Sequence, residues 1–161
     1  KIFTPYTQRS VEMHMSTELE ESFIIPHALG ANQAPLLARA AFIKKRLDIP
    51  VLEAFPKATL WRLGLSLQVM KSHLRHHKHS VGGNEARKAI LQALSAAHVA
   101  FVYDQDVKLM TENNHAFEAF LCALTGFLKF KGLTEVRPKG FPKKEDWIEV
   151  PLENINWQNV V

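Results

Sequence analysis

Residues 111–131 constrain the fold more than any other stretch. Phe117, Leu121, Leu124 and Leu128 recur at helical spacing, Phe120 and Phe127 widen the stripe, and Gly132 closes it. A helix with so broad an apolar face has to bury it against a second layer. The chain can supply that layer: 161 residues suit one domain, and at that size roughly 70% of the unfolded surface can be buried. With 47% hydrophobic and 22% charged residues, 7 glycines and 8 prolines, the composition is globular and excludes collagen-like or low-complexity chains.

Proline and glycine punctuate the remainder. Residues 10–23 read as a first helix, broken by Ile24-Ile25-Pro26. Gly30-Ala31-Asn32 makes a turn, with Asn32 as N-cap of a second helix that carries Leu36, Leu37, Ala40, Ile43 and Leu47 and ends at Pro50. Residues 51–55 have the length of a buried strand closed by Pro56, with Glu53 as a carboxylate in its middle. Residues 58–63 form a short helix stopped by Gly64, and residues 67–76 a loop running into a helix. Val81-Gly82-Gly83 is a break, after which Asn84 caps a helix over 85–97. Residues 99–110 fit helix or strand. A final strand over 146–150 alternates before Pro151. No internal repeat and no long linker is visible, so a single domain spanning 1–161 is expected.

Twenty Lys and Arg against sixteen Asp and Glu give a net charge of +4. That mild excess is compatible with touching a phosphate backbone, without the dense basic stripe of a dedicated binder. The excess is local. Lys71-Ser72-His73-Leu74-Arg75-His76-His77-Lys78-His79 holds three fixed positive charges and four imidazoles with no acid, and Arg137 to Lys144 form a second basic run. Such runs read either as phosphate-facing or as solvated surface. No window reaches about 18 uncharged apolar residues, so no membrane span is expected. The lone Cys122 permits no internal disulfide, and no charged-then-apolar leader opens the sequence; both favour a cytoplasmic setting. The absence of an initiator Met fits a processed or truncated piece.

His115, Glu118, Cys122 and Thr125 share a second face of the long helix. An imidazole and a carboxylate one turn apart can bind a metal or share a proton; equally, they can be the surface of a helix's first turns. A strand acid (Glu53) and a helix acid (Glu118) converging on one point would be a place for Mg²⁺ or Mn²⁺, as in metal-assisted phosphodiester hydrolysis. The histidines at 73, 76, 77 and 79 have spacing that could hold zinc, but no nearby Cys or Asp completes a set. Cys122 reads as a structural thiol. Phe141, Trp147 and Trp157 read as packing aromatics or as a contact surface.

Five segments in order resemble one family. Residues 51–64, Val-Leu-Glu-Ala-Phe-Pro-Lys-Ala-Thr-Leu-Trp-Arg-Leu-Gly, resemble a signature of the predicted RNase H-like nucleases (domain-of-unknown-function family 429), and residues 113–128 resemble its "nHelDAllcAltgyl" helix. Arg9-Ser10-Val11-Glu12, Lys71-Ser72 with Arg87 to Leu91, and Glu145-Asp146-Trp147-Ile148-Glu149-Val150-Pro151 are similar to its other segments. The resemblance runs from Arg9 to Pro151. It implies an α/β, helix-rich, RNase H-like fold: a mixed five-stranded sheet with flanking helices, whose acids meet around one or two divalent metals. Glu53 corresponds to the acid after the central strand, Glu118 to the Asp of the last helix, and His115 to the His preceding it. The family's first strand and its leading Asp have no counterpart here, so the sheet is expected to lack its first strands, as in a C-terminal portion or a shortened relative.

Two functions follow from that resemblance. As a metal-dependent nuclease acting on RNA or DNA, the chain would use Glu53 and Glu118 to hold Mg²⁺ or Mn²⁺, His115 to assist proton transfer, and Lys71, Arg75 and Lys78 to contact phosphates. As a catalytically inactive module it would keep the fold and bind nucleic acid or a protein partner. A structural or assembly role remains a third reading.

Overall fold

The computed structural model describes residues 9–19 and 34–160. Over these the chain is helix-rich, with α1 (Ser10–Glu18), α2 (Ala34–Lys44), α3 (Pro56–Ser66), α4 (Lys71–His76), α5 (Gly83–Ala96), α6 (Asp104–Glu112) and α7 (Asn114–Phe130). Strands β1 (Glu53–Ala54) and β2 (Ile148–Glu149) pair in a small parallel sheet, and Trp157–Asn159 form a 3₁₀ turn. The class is therefore mixed and dominated by helix. Among the described residues the sheet has two strands, not the five that the family resemblance implies. The expected break at 24–26, the turn at 30–32 and the Asn32 cap lie outside the described residues.

The chain divides into two compact units, Lys1–Glu53 with Val136–Ile148, and Ala54–Glu135 with Glu149–Val161. In the first unit, α1 buries Val11 and Met15, and Leu19 just beyond its end is buried too. Its N-terminus is held by two carboxylates. Glu12 accepts from the Arg9 backbone N–H at 3.0 Å, and Glu145 accepts from the Val11 N–H at 3.2 Å and the Ser10 hydroxyl at 3.0 Å. Trp147 is buried, with Phe141 edge-on at 5.3 Å and His14 at 5.5 Å between centroids, so these aromatics pack. By contrast α2 is largely exposed, with Leu36, Phe42 and Ile43 open to solvent.

The second unit is a helical assembly in which α3 packs on α4 and α7, α5 on α4 and α6, and α6 on α7. Leu60, Leu63, Leu74, Ile90, Leu94, Phe117, Leu121 and Leu128 form its core, so the stripe of the long helix is buried as its spacing predicts. Across α3 and α7, the Thr59 and Thr125 hydroxyls lie 2.7 Å apart, and Thr125 also donates to the Leu121 carbonyl at 2.8 Å. Beyond α7, Glu149 accepts from Thr134 at 2.8 Å and pairs with Lys129 at 2.9 Å. Arg62, 5% exposed, pairs with Glu135 at 2.6 Å and with Glu153.

Several boundaries differ from the sequence expectation, each for a local reason. Gly64 does not stop its helix. A Cβ there would lie 2.3 Å from Leu74 Cδ2, so the missing side chain lets buried Leu74 of α4 seat against α3. Helix α5 begins at Gly83 after Gly82 turns the chain at φ +80°, and Asn84 instead accepts from Arg87 Nη2 at 2.5 Å. The ambiguous stretch holds helix α6 from Asp104, which takes in Thr111. The long helix therefore starts at Asn114, capped by Asn113 Oδ1, which accepts from His115 N–H at 2.9 Å and Ala116 N–H at 3.3 Å. The expected strand over 51–55 is not buried: Val51 and Leu52 are exposed and only Glu53–Ala54 pair, because Pro50 before it and Pro56 opening α3 confine the ladder. The closing strand does not alternate either, since Trp147, Ile148, Glu149 and Val150 are all buried, Glu149 tolerably so through Thr134 and Lys129.

Candidate functional sites

In the first unit, one guanidinium gathers residues far apart in sequence. Arg9 donates from Nη1 to Glu53 Oε2 at 2.9 Å and from Nη2 to Glu53 Oε1 at 2.5 Å, while its Nε donates to Glu12 Oε1 at 3.0 Å. Such a two-pronged contact is the strong form of a charged hydrogen bond. The Glu12 side chain is fully buried, Arg9 is mostly so, and Glu53 is 28% exposed. Hydrogen bonding to Glu53 raises the Arg9 pKa against the opposing effect of burial, with the charges of Glu53 and Glu12 adding to it. Glu145 completes the group from the start of α1. Burial favours its neutral form, but the Ser10 and Val11 hydrogen bonds and the Arg9 charge prevail and hold it below the usual carboxylate range. Two carboxylates therefore hold one cation, and a third feels its charge.

This arrangement tests the metal expectation directly. Both Glu53 oxygens are engaged by Arg9, and among the described residues no group of three or more His, Cys, Asp or Glu side chains is placed to hold a metal ion. The donors present do not fit Mg²⁺ or Mn²⁺, which need several convergent oxygens. Nor is there a zinc set at residues 73–79 among the described residues. His77 there is buried: its Nδ1 lies 2.8 Å from the Leu74 carbonyl, its ring faces Phe117 at 5.9 Å, and its Nε2 has no hydrogen-bond partner. Burial pushes its pKa down, outweighing the Leu74 hydrogen bond, so the ring is held neutral.

Glu118 belongs to the second unit and has its own cation, Lys78. The expected partners Glu53 and Glu118 thus fall in different units, each in an ion pair. His115 is exposed near the start of α7. Cys122 on the same face is half-buried, and burial, reinforced by the Glu118 charge, pushes its thiol up, against a nucleophilic role. Lys71 and Arg75, both exposed on α4, lie over the buried Trp61 ring at 5.6 and 6.0 Å from its centroid. Of the three expected phosphate contacts, then, two sit on an aromatic face and the third, Lys78, on an acid.

Arg9, Glu12 and Glu145 all lie in segments that carry the resemblance, but no spacing rule links position 9 to position 53. No protein-family model matches this sequence, and neither a curated protein nor a solved structure matches it.

Proposed function

We propose that the chain is an RNase H-like nucleic-acid-binding module that works without a bound metal. The supporting observation is the exposed basic face of α4, where Lys71 and Arg75 stand one turn apart over Trp61 in a run, residues 71–79, without an acid. An aromatic face beneath a cation limits the cation's wandering, and the Lys71 ammonium stands at an exposed position that a phosphate can reach. Exposed His76 and His79, their rings 4.6 Å apart, flank this face. The RNase H-like part of the reading rests on the five motif segments, and a cytoplasmic setting on the lone Cys122. No helix among the described residues is long and apolar enough to cross a membrane.

The test is binding of a labelled duplex at increasing salt. Phosphate contacts release counterions, so affinity should fall steeply and linearly on a log–log plot. Flat affinity, or a Lys71→Ala/Arg75→Ala variant that binds as the parent does, removes the proposal.

A metal-dependent nuclease is the second reading. What favours it is the meeting of Glu12 and Glu53 at Arg9, two acids drawn from two motif segments, with Glu145 of a third segment within reach of the Arg9 charge. It requires donors that the described residues do not assemble, so no step is assigned to Glu53, Glu118 or His115. Mn²⁺-dependent cleavage lost in Glu53→Gln would establish it; cleavage unchanged by that substitution would dismiss it.

A further inference from the structure

The second unit carries an aromatic groove that plays no part in the basic face of α4. Its volume is about 380 Å³, and its walls include Phe101, Phe120, Phe127, Val99, Leu124 and His98. Phe101 is 85% exposed and Phe127 38%. Phe101 stands edge-on to the exposed Tyr103 at 5.1 Å, and Lys131 Nζ lies 5.4 Å from the centre of the Phe127 ring. His98 is the polar side chain of the lining, held at a left-handed φ of +54° where α5 ends. Glycine usually takes such a position. Here a residue with a side chain keeps an imidazole at the groove.

We infer that this groove holds an unpaired nucleobase, giving the chain a preference for single strands. The inference rests on the nucleic-acid-binding reading above and names its substrate class. Three phenyl rings offer a base flat partners of any sequence, which is how single strands are held without sequence readout. Lys131 supplies a cation beside the ring for the neighbouring phosphate, His98 can hydrogen-bond a base edge, and no acid lines the groove to repel the backbone. A duplex presents no free base face and so gains nothing from it. The groove is also small for a protein partner, since a specific interface covers about 800 Å² on each side.

The experiment measures fluorescence anisotropy of a labelled oligothymidylate strand and of a labelled hairpin duplex, with the parent chain and with Phe101→Leu and Phe127→Leu. Leucine keeps the apolar surface and removes the ring, and Phe101 is too exposed for its loss to unfold the chain. The expected result is single-strand binding weakened by about tenfold in Phe101→Leu, as for one lost stack, with hairpin binding unchanged. Equal effects on both probes, or none on the strand while the hairpin still depends on Lys71 and Arg75, overturn the groove assignment alone. Failure of both probes to bind overturns the reading of α4 as well. Self-association in sedimentation that Phe101→Leu abolishes would make the groove a contact between copies and overturn the inference.

Discussion

Arg9 engages both oxygens of Glu53, 44 positions away in sequence, through its two terminal nitrogens at 2.9 and 2.5 Å. The same guanidinium serves Glu12, whose side chain is fully buried, so it neutralises an acid that water cannot reach. Residues 9–12 and 53 are thereby tied within the first unit by charge as much as by apolar packing.

Removing that cation should cost more than removing either acid. Arg9→Met removes the guanidinium that Glu12 and Glu53 share, a loss of about 3–5 kcal/mol for a largely buried ion pair broken from one side. Glu53→Gln keeps a hydrogen-bond acceptor at a partly exposed position and should cost about 1 kcal/mol. Urea denaturation of the two variants checks the order; equal losses would mean that Arg9 contributes no more than a surface pair.

His77 predicts a pH dependence with a definite sign. Its folded-state pKa lies below the ordinary 6.5, because burial opposes the imidazolium more than the Leu74 carbonyl favours it, while Lys78, Lys57 and Glu118 face it with opposed charges. The unfolded chain therefore binds a proton that the folded chain resists. Stability is full above pH 6.5 and falls below it, with a slope of at most about 1.4 kcal/mol per pH unit. His77→Phe should lose that slope between about pH 7 and 5. Glu145, also held low, acts at lower pH: its contribution is present above the ordinary carboxylate pKa of 4.5 and is lost only as the pH falls below that value. Urea midpoints against pH for parent and variant separate the two; parallel curves would show that His77 titrates normally.

Gly64 predicts a steric coupling. Gly64→Ala places a Cβ 2.3 Å from Leu74 Cδ2, and overpacking of a core costs about 1–3 kcal/mol. In a Leu74→Ala background the clash is gone, and the same substitution should be neutral or stabilising, since alanine is the better helix former. A double-mutant cycle of unfolding free energies reads this directly. Additive losses would mean that α3 and α4 do not touch at this point.

What the sequence disclosed follows the range of its signals. The stripe of α7 was legible because Phe117, Leu121, Leu124 and Leu128 state their periodicity within one helix, and all four are buried. Gly64 departs from its expected role because a glycine that ends a helix and one that admits a neighbour look alike until Leu74 is located. The long helix starts three residues after Thr111 because α6 runs up to Glu112 and a single residue, Asn113, ends one helix and caps the next. The Arg9–Glu53 pair was invisible for a different reason: periodicity records which face a residue takes, not which distant residue meets it. Glu53 drew notice as an acid among apolar neighbours, yet its partner is a guanidinium.

Lys78 separates the basic run into two kinds of charge. Lys71 and Arg75 lie over an aromatic ring, but Lys78 is paired with Glu118, whose side chain is only 19% exposed. A cation already matched by a half-buried acid releases few counterions when a phosphate arrives. Each phosphate contact removed lowers the slope of log affinity against log salt by about 1. Lys71→Ala should show that decrement on duplex DNA, whereas Lys78→Ala should change the slope by much less. Glu118→Gln should raise the slope, because it frees Lys78 for the backbone. Slopes measured by anisotropy between low and moderate salt decide this, and equal decrements for Lys71 and Lys78 would mean that the Lys78–Glu118 pair opens when nucleic acid binds.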